Sequence, residues 1–136
     1  MTPEQRLLLQ RSWAVVEQRG DELATVFYER LFELDPKARA LFAATDMPAQ
    51  RAKFIAMLGA IVRVLDDPEH LVPGAITLGR RHAGYGVRPA DYETVGQALL
   101  WMFEHALGAD FDEPVRIAWG EGYRMLDALM QRAGGG

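Results

Sequence analysis

His82 closes an apolar stripe made of Leu71, Ala75, Leu78 and His82 itself. The spacing i, i+4, i+7, i+11 puts all four on one face of a helix, so the imidazole shares the surface that the aliphatic residues bury. Chain-breaking residues follow at once: Gly84-Tyr85-Gly86-Val87-Arg88-Pro89. A buried imidazole needs partners for its two polar nitrogens. A backbone carbonyl can serve one, and a metal ion can take the lone pair of the other. For a lone histidine the carbonyl alone is the ordinary outcome, so the rest of the chain has to decide.

Three more residues could do chemistry. Gln50 lies four residues before Phe54 and extends the inner stripe of its helix with a polar amide. Tyr28 brings a phenol to a helix rich in aliphatics, and Phe42 stands at a helix end before a loop. Each also has a plain reading. Gln50 in a first turn can face water, Tyr28 can keep its hydroxyl at the surface, and Phe42 can be ordinary core.

The elements that position these residues have readable ends. Thr2-Pro3-Glu4-Gln5 is a cap, a proline at the first helical position and a Gln completing a capping box. Leu9, Trp13 and Val16 form the inner face of that helix. Gly20 reads as its stop and Asp21 as the cap of the next, which turns Leu23, Phe27, Leu31 and Leu34 inward. Asp35-Pro36 starts a short helix over 37–42. A helix from about Pro48 carries Phe54, Met57, Leu58, Ile61 and Leu65, and Asp66-Asp67-Pro68 ends it. Pro73 divides the His82 helix in two. Tyr92, Val95, Leu99 and Met102 line the next helix, and Val115, Ala118, Trp119, Gly122, Leu126 and Leu129 the last. The fold class is all-α, with seven helices of uneven length in one domain over residues 1–133 and a flexible glycine tail over 134–136.

Composition narrows the function. The chain has 136 residues, 49% apolar and 25% charged, with a net charge of −4 and no basic tract, which argues against nucleic acid as a partner. There is no cysteine, so thiolate zinc sites, iron–sulfur clusters and a cysteine nucleophile are excluded. The N-terminus is no signal peptide and no stretch is apolar enough to span a bilayer, so a cytoplasmic setting away from membranes is expected. Asp66-Asp67 and the acids Asp110, Asp112 and Glu113 sit at helix boundaries, where capping explains them better than acid–base catalysis.

The order Tyr28, Phe42, Gln50, His82 across separate helices joins the residues into one pattern. Leu78-Gly79-Arg80-Arg81-His82-Ala83-Gly84-Tyr85-Gly86-Val87, followed by Asp91-Tyr92-Glu93-Thr94-Val95-Gly96, resembles the proximal region of bacterial single-domain globins, relatives of the globin domain of flavohaemoglobins. The run Phe27-Tyr28-Glu29-Arg30-Leu31-Phe32, then Asp35-Pro36 and Leu41-Phe42, resembles their distal half. Gln50-Arg51-Ala52-Lys53-Phe54 is similar to their distal helix, and Ala118-Trp119-Gly120-Glu121-Gly122-Tyr123 to their last helix.

The resemblance implies a globin fold packed around one pocket for haem b (iron protoporphyrin IX). His82 would be the metal ligand. Phe42 would press on the haem face, and Val87, Tyr92 and Val95 would pack on the proximal side. Leu78 would touch the ring and offer its carbonyl to the free imidazole N–H. Lys53 and Arg81 would pair with the propionates, or be solvated surface charges. Tyr28, Gln50 and Phe54 would line the gas-binding side, with Phe54 crowding it.

The activity so implied is reversible, high-affinity binding of oxygen, and of nitric oxide or carbon monoxide, for transport, storage or scavenging. Three alternatives stand beside it: a nitric oxide dioxygenase fed by an external reductase, a gas sensor, and an all-α interaction domain without a cofactor. The chain carries no Gly-rich dinucleotide fingerprint, so a reductase would be a separate protein. The proximal acid of the flavin-containing relatives would fall near Gly134, so a weaker electron push from His82 is expected.

Overall fold

Thr2 and Gln5 start the first helix as a reciprocal cap. Gln5 N–H donates to Thr2 Oγ1 at 3.1 Å and Thr2 N–H to Gln5 Oε1 at 3.0 Å, which satisfies two of the donors a helix start leaves open. From there the computed structural model, which describes residues 2–84 and 87–135, is helical almost throughout. The helices are α1 (Pro3–Gln18), α2 (Gly20–Leu34), α3 (Ala38–Leu41), α4 (Met47–Val64), α5 (Pro68–Gly84), α6 (Pro89–Leu107) and α7 (Glu113–Gly135), with a short 3-10 turn at Gly108–Asp110. Among the described residues there is no strand, and no helix is long and apolar enough to cross a membrane.

Packing follows the apolar faces read from the sequence. Helix α5 lies along α7, α2 along α6 and α4, and α1 against α7 and α4. Leu9, Val16, Leu23, Met102 and Phe103 are fully buried where these helices meet. Trp119 stacks on Phe103 with ring centroids 3.9 Å apart. Its indole N–H donates to Ser12 Oγ at 2.8 Å, and that hydroxyl donates in turn to the Leu8 carbonyl at 2.7 Å. This chain of bonds ties α1 to α7 through Ser12, the one buried polar side chain among the described residues.

Four local expectations change. Helix α2 begins at Gly20 itself, so Gly20 does not separate two helices and Asp21 is not a cap. A Cβ at position 20 would lie 3.3 Å from Ile55 Cγ2, so glycine there lets α2 start close against α4. The Asp21 carboxylate instead accepts from Arg51 Nε at 2.8 Å. The short helix is trimmed to Ala38–Leu41, with Phe42 as its C-cap.

Pro73 lies inside α5 without dividing it. The missing N–H removes one intrahelical bond, and burial of Leu71, Ala75 and Gly79 along α7 holds the helix through that loss. The last helix runs through Gly134 and Gly135, two residues into the expected tail. Glycine lowers helix stability by only about 1 kcal/mol per residue, little against a helix already propagating. Gly136, and the Tyr85-Gly86 part of the expected break after His82, lie outside the described residues.

Ser12→Ala leaves the buried Trp119 N–H without its acceptor. A loss of about 1–3 kcal/mol is expected, read from the urea midpoint. A variant within about 0.5 kcal/mol of wild type would show that the Ser12–Trp119 bond does not clamp α1 to α7.

Candidate cofactor and ligand site

Two walls of side chains face each other across a cavity of about 730 Å³, within the roughly 300–1,000 Å³ usual for cofactor pockets. One wall is aromatic. Phe27, Tyr28 and Leu31 follow the buried face of α2, while α4 supplies Gln50 and Phe54 one turn apart. Phe42 closes this wall from the end of α3. Tyr28 is held edge-on by Phe27, Phe42 and Phe54, with ring centroids at 4.9, 5.5 and 5.5 Å. Phe54 in turn stacks on Phe27 at 4.3 Å. These contacts leave Tyr28 a single orientation, with its hydroxyl beside Gln50.

Gln50 Nε2 donates to Tyr28 Oη at 3.0 Å. That bond uses the phenol oxygen as an acceptor and leaves its own hydrogen free to donate. Burial pushes the Tyr28 hydroxyl above the ordinary phenol pKa, and the bond from Gln50 opposes this more weakly. Tyr28 therefore stays a protonated donor at neutral pH.

The opposite wall is built on α5, α6 and α7. His82 is half-buried at the end of α5. Its Nδ1 lies 2.8 Å from the Leu78 carbonyl oxygen one turn earlier. A carbonyl can only accept, so Nδ1 donates to it, and in the neutral imidazole Nε2 is then the nitrogen with the lone pair. Among the described residues nothing bonds to Nε2, and His82 lines the cavity. The Tyr92 ring lies 6.2 Å from the imidazole, tilted by 31°. Leu78, Val87 and Val95 complete this side of the lining. Lys53 and Arg81 are exposed at its edge, and neither pairs with a carboxylate among the described residues.

All eleven residues singled out from the sequence thus line one cavity. Two residues on α7 were missed. Tyr123 donates from its hydroxyl to the Tyr92 carbonyl, and its ring fits because position 96 is glycine, where a Cβ would come within 2.8 Å of that ring. Asp127, bonded by Gln131 Nε2, also lines the cavity. Burial raises the pKa of Tyr92 and Tyr123, and the negative charge of Asp127 adds to both shifts. The signal for both residues was their spacing: Trp119, Tyr123 and Asp127 are four apart beside a face already read as inward. His70 and His105 lie elsewhere, His70 Nδ1 being 2.6 Å from Asp67 Oδ2 at the surface.

The globin family profile matches residues 25–129. Neuroglobin of Tetraodon nigroviridis and neuroglobin of Chaenocephalus aceratus are each 28% identical to this chain, over 97% of it and 91% of their own length. The crystal structure of a hexacoordinated heme protein from an anhydrobiotic tardigrade, at pH 4, superposes with a TM-score of 0.86. It shares 15% identity, over 100% of this chain and 96% of its own.

Because Tyr28, Tyr92 and Tyr123 hold their protons more tightly when folded, the unfolded chain releases them first, from about pH 10. Their contribution is intact below that pH and falls as pH rises through their folded values. Urea midpoints should therefore hold up to about pH 10 and drop above it, less steeply in Tyr123→Phe. Equal slopes for the two proteins would show that Tyr123 carries no such linkage.

Proposed function

This chain belongs to the globin family, and we propose from that premise that it binds haem b through His82 and reversibly holds a diatomic gas beside Tyr28 and Gln50. The observation that carries this reading is the His82 Nε2 lone pair, directed by the Leu78 carbonyl and lining an apolar cavity. A neutral imidazole fixed in that tautomer is the donor an iron centre takes. When bound, haem supplies an iron able to bind small diatomic gases.

The residues fit such a group. Phe42, Leu78, Val87, Tyr92 and Val95 offer aromatic and aliphatic contacts to a flat macrocycle. Lys53 and Arg81 at the edge suit its two carboxylates. His82 is the one histidine lining the cavity among the described residues, so no second imidazole competes for the gas side. The Tyr28–Gln50 pair supports the bacterial single-domain subgroup.

Tyr28 sets affinity in this reading. A phenol hydrogen bond adds about 0.5–1.5 kcal/mol to a neutral acceptor and about 1.5–3 kcal/mol to a charged one. Each 1.4 kcal/mol is about tenfold. The gas is held tightly and released slowly, which suits storage or scavenging better than bulk transport. Phe54, packed on Phe27, narrows the gas side against larger ligands.

One observation favours a second reading, nitric oxide dioxygenation with electrons from a separate reductase. Asp127 places a carboxylate on the His82 side of the cavity, although the position near Gly134 offers no acid. Nitric oxide consumption over many turnovers, with a reductant supplied, separates the two.

Purified protein given hemin should show ferric, ferrous and carbon-monoxide spectra of a histidine-ligated haem, and His82→Ala should lose them. A colourless product would overturn the proposal. Tyr28→Phe should release oxygen roughly ten- to a hundredfold faster. An unchanged off-rate would remove Tyr28 from gas binding.

A further inference from the structure

Gly79 stands three residues before His82 and one after Leu78, on the buried side of α5. A Cβ built there would lie 2.3 Å from the Met130 carbonyl oxygen and 2.8 and 2.9 Å from the Met130 Cα and carbonyl carbon. All three atoms are backbone, so no rotamer change relieves the overlap. The approach falls in the interface between α5 and α7, the most extensive helix pair of the fold. Gly74 on the same helix has nothing within 4 Å of its would-be Cβ. Gly74 is exposed, so it reports the change of residue alone and not the α5–α7 contact.

We propose that Gly79 is a positioning residue for the iron ligand: its missing side chain lets α5 settle on the α7 backbone at Met130, and that depth sets where His82 meets the cavity. The proposal rests on the haem reading above. A carbon sits comfortably against a carbonyl oxygen at roughly 3.3 Å. Any side chain at position 79 thus forces the two helices apart by about 1 Å at this point. His82 and its Leu78 acceptor belong to the same helical turn and move together. The imidazole keeps its tautomer while its place over the cavity changes.

The test uses haem-loaded protein and reads the iron–histidine stretching band of the ferrous form by resonance Raman, with the rate of haem loss to an apoglobin scavenger. Gly79→Ala should shift or broaden the band and release haem at least about tenfold faster, the fold-change that 1.4 kcal/mol of lost binding produces. Gly74→Ala should match wild type in both readouts.

Ala75→Val is a milder wedge in the same interface, since Ala75 is buried with Leu126 and Met130. It should displace the band in the same direction by a smaller amount, and it decides the matter if Gly79→Ala fails to fold. A folded wedge variant with the wild-type band and haem-loss rate overturns the proposal. If wild-type protein takes up no haem, it is the functional reading that fails, a result distinct from an unchanged band in a red protein.

Discussion

The bond from His82 Nδ1 to the Leu78 carbonyl, 2.8 Å long, is what the cavity depends on. It lies within one helical turn and needs no other element to form. It settles which nitrogen keeps a proton, and so which one faces the cavity as a lone pair. Without it the ring could turn, and the site would hold an imidazole with no defined donor. The Leu78 carbonyl lies inside α5, and its second lone pair is what can take the ring N–H.

The two walls solve opposite problems. The aromatic wall must hold one hydroxyl still. It does so by enclosing Tyr28 among three rings and spending one bond from Gln50 on its oxygen. The His82 wall must hold a whole helix in place. It uses close backbone contact at Gly79, the Tyr123 bond to the Tyr92 carbonyl, and the Gly96 gap that admits the Tyr123 ring. Every buried polar side-chain atom among the described residues has a partner. An apolar hollow of about 730 Å³ between such walls forgoes many packing contacts. A flat group filling it would restore them, so occupancy and stability are linked.

Much of this was legible because helices announce themselves. The Thr2–Gln5 capping box, the stripes through Leu9, Trp13 and Val16 and through Tyr92, Leu99 and Met102, and the Pro89 start all carry local signals that tertiary structure left intact. Local signals misled where packing outweighs local preference. Gly20 reads as a stop by propensity, yet it is used for the close start of α2 against Ile55. Pro73 reads as a break, yet the α7 contact keeps α5 whole. The site was legible as a set of residues and not as a geometry. Spacing placed His82 and Gln50 on inner faces and the family resemblance added Tyr28, but only the crossing of α2 with α4 brings Gln50 to Tyr28, 22 residues apart. Asp127 carried no signal of its own because an acid on a helix usually faces water.

The arrangement also separates two controls. The Tyr28 wall belongs to α2 and α4, which pack on each other, and α2 continues onto α6. His82 itself rides on α5, which packs along α7 and only lightly on α4, while α6, the other part of its wall, touches both α2 and α7. A side chain changed on the α2–α4 pair has little leverage on the depth of α5, and a change at the α5–α7 contact has little on the Tyr28–Gln50 bond. Effects at well-separated positions without shared partners add. The Tyr28–Gln50 bond and the seating of His82 are therefore carried by different helix pairs, α2–α4 and α5–α7.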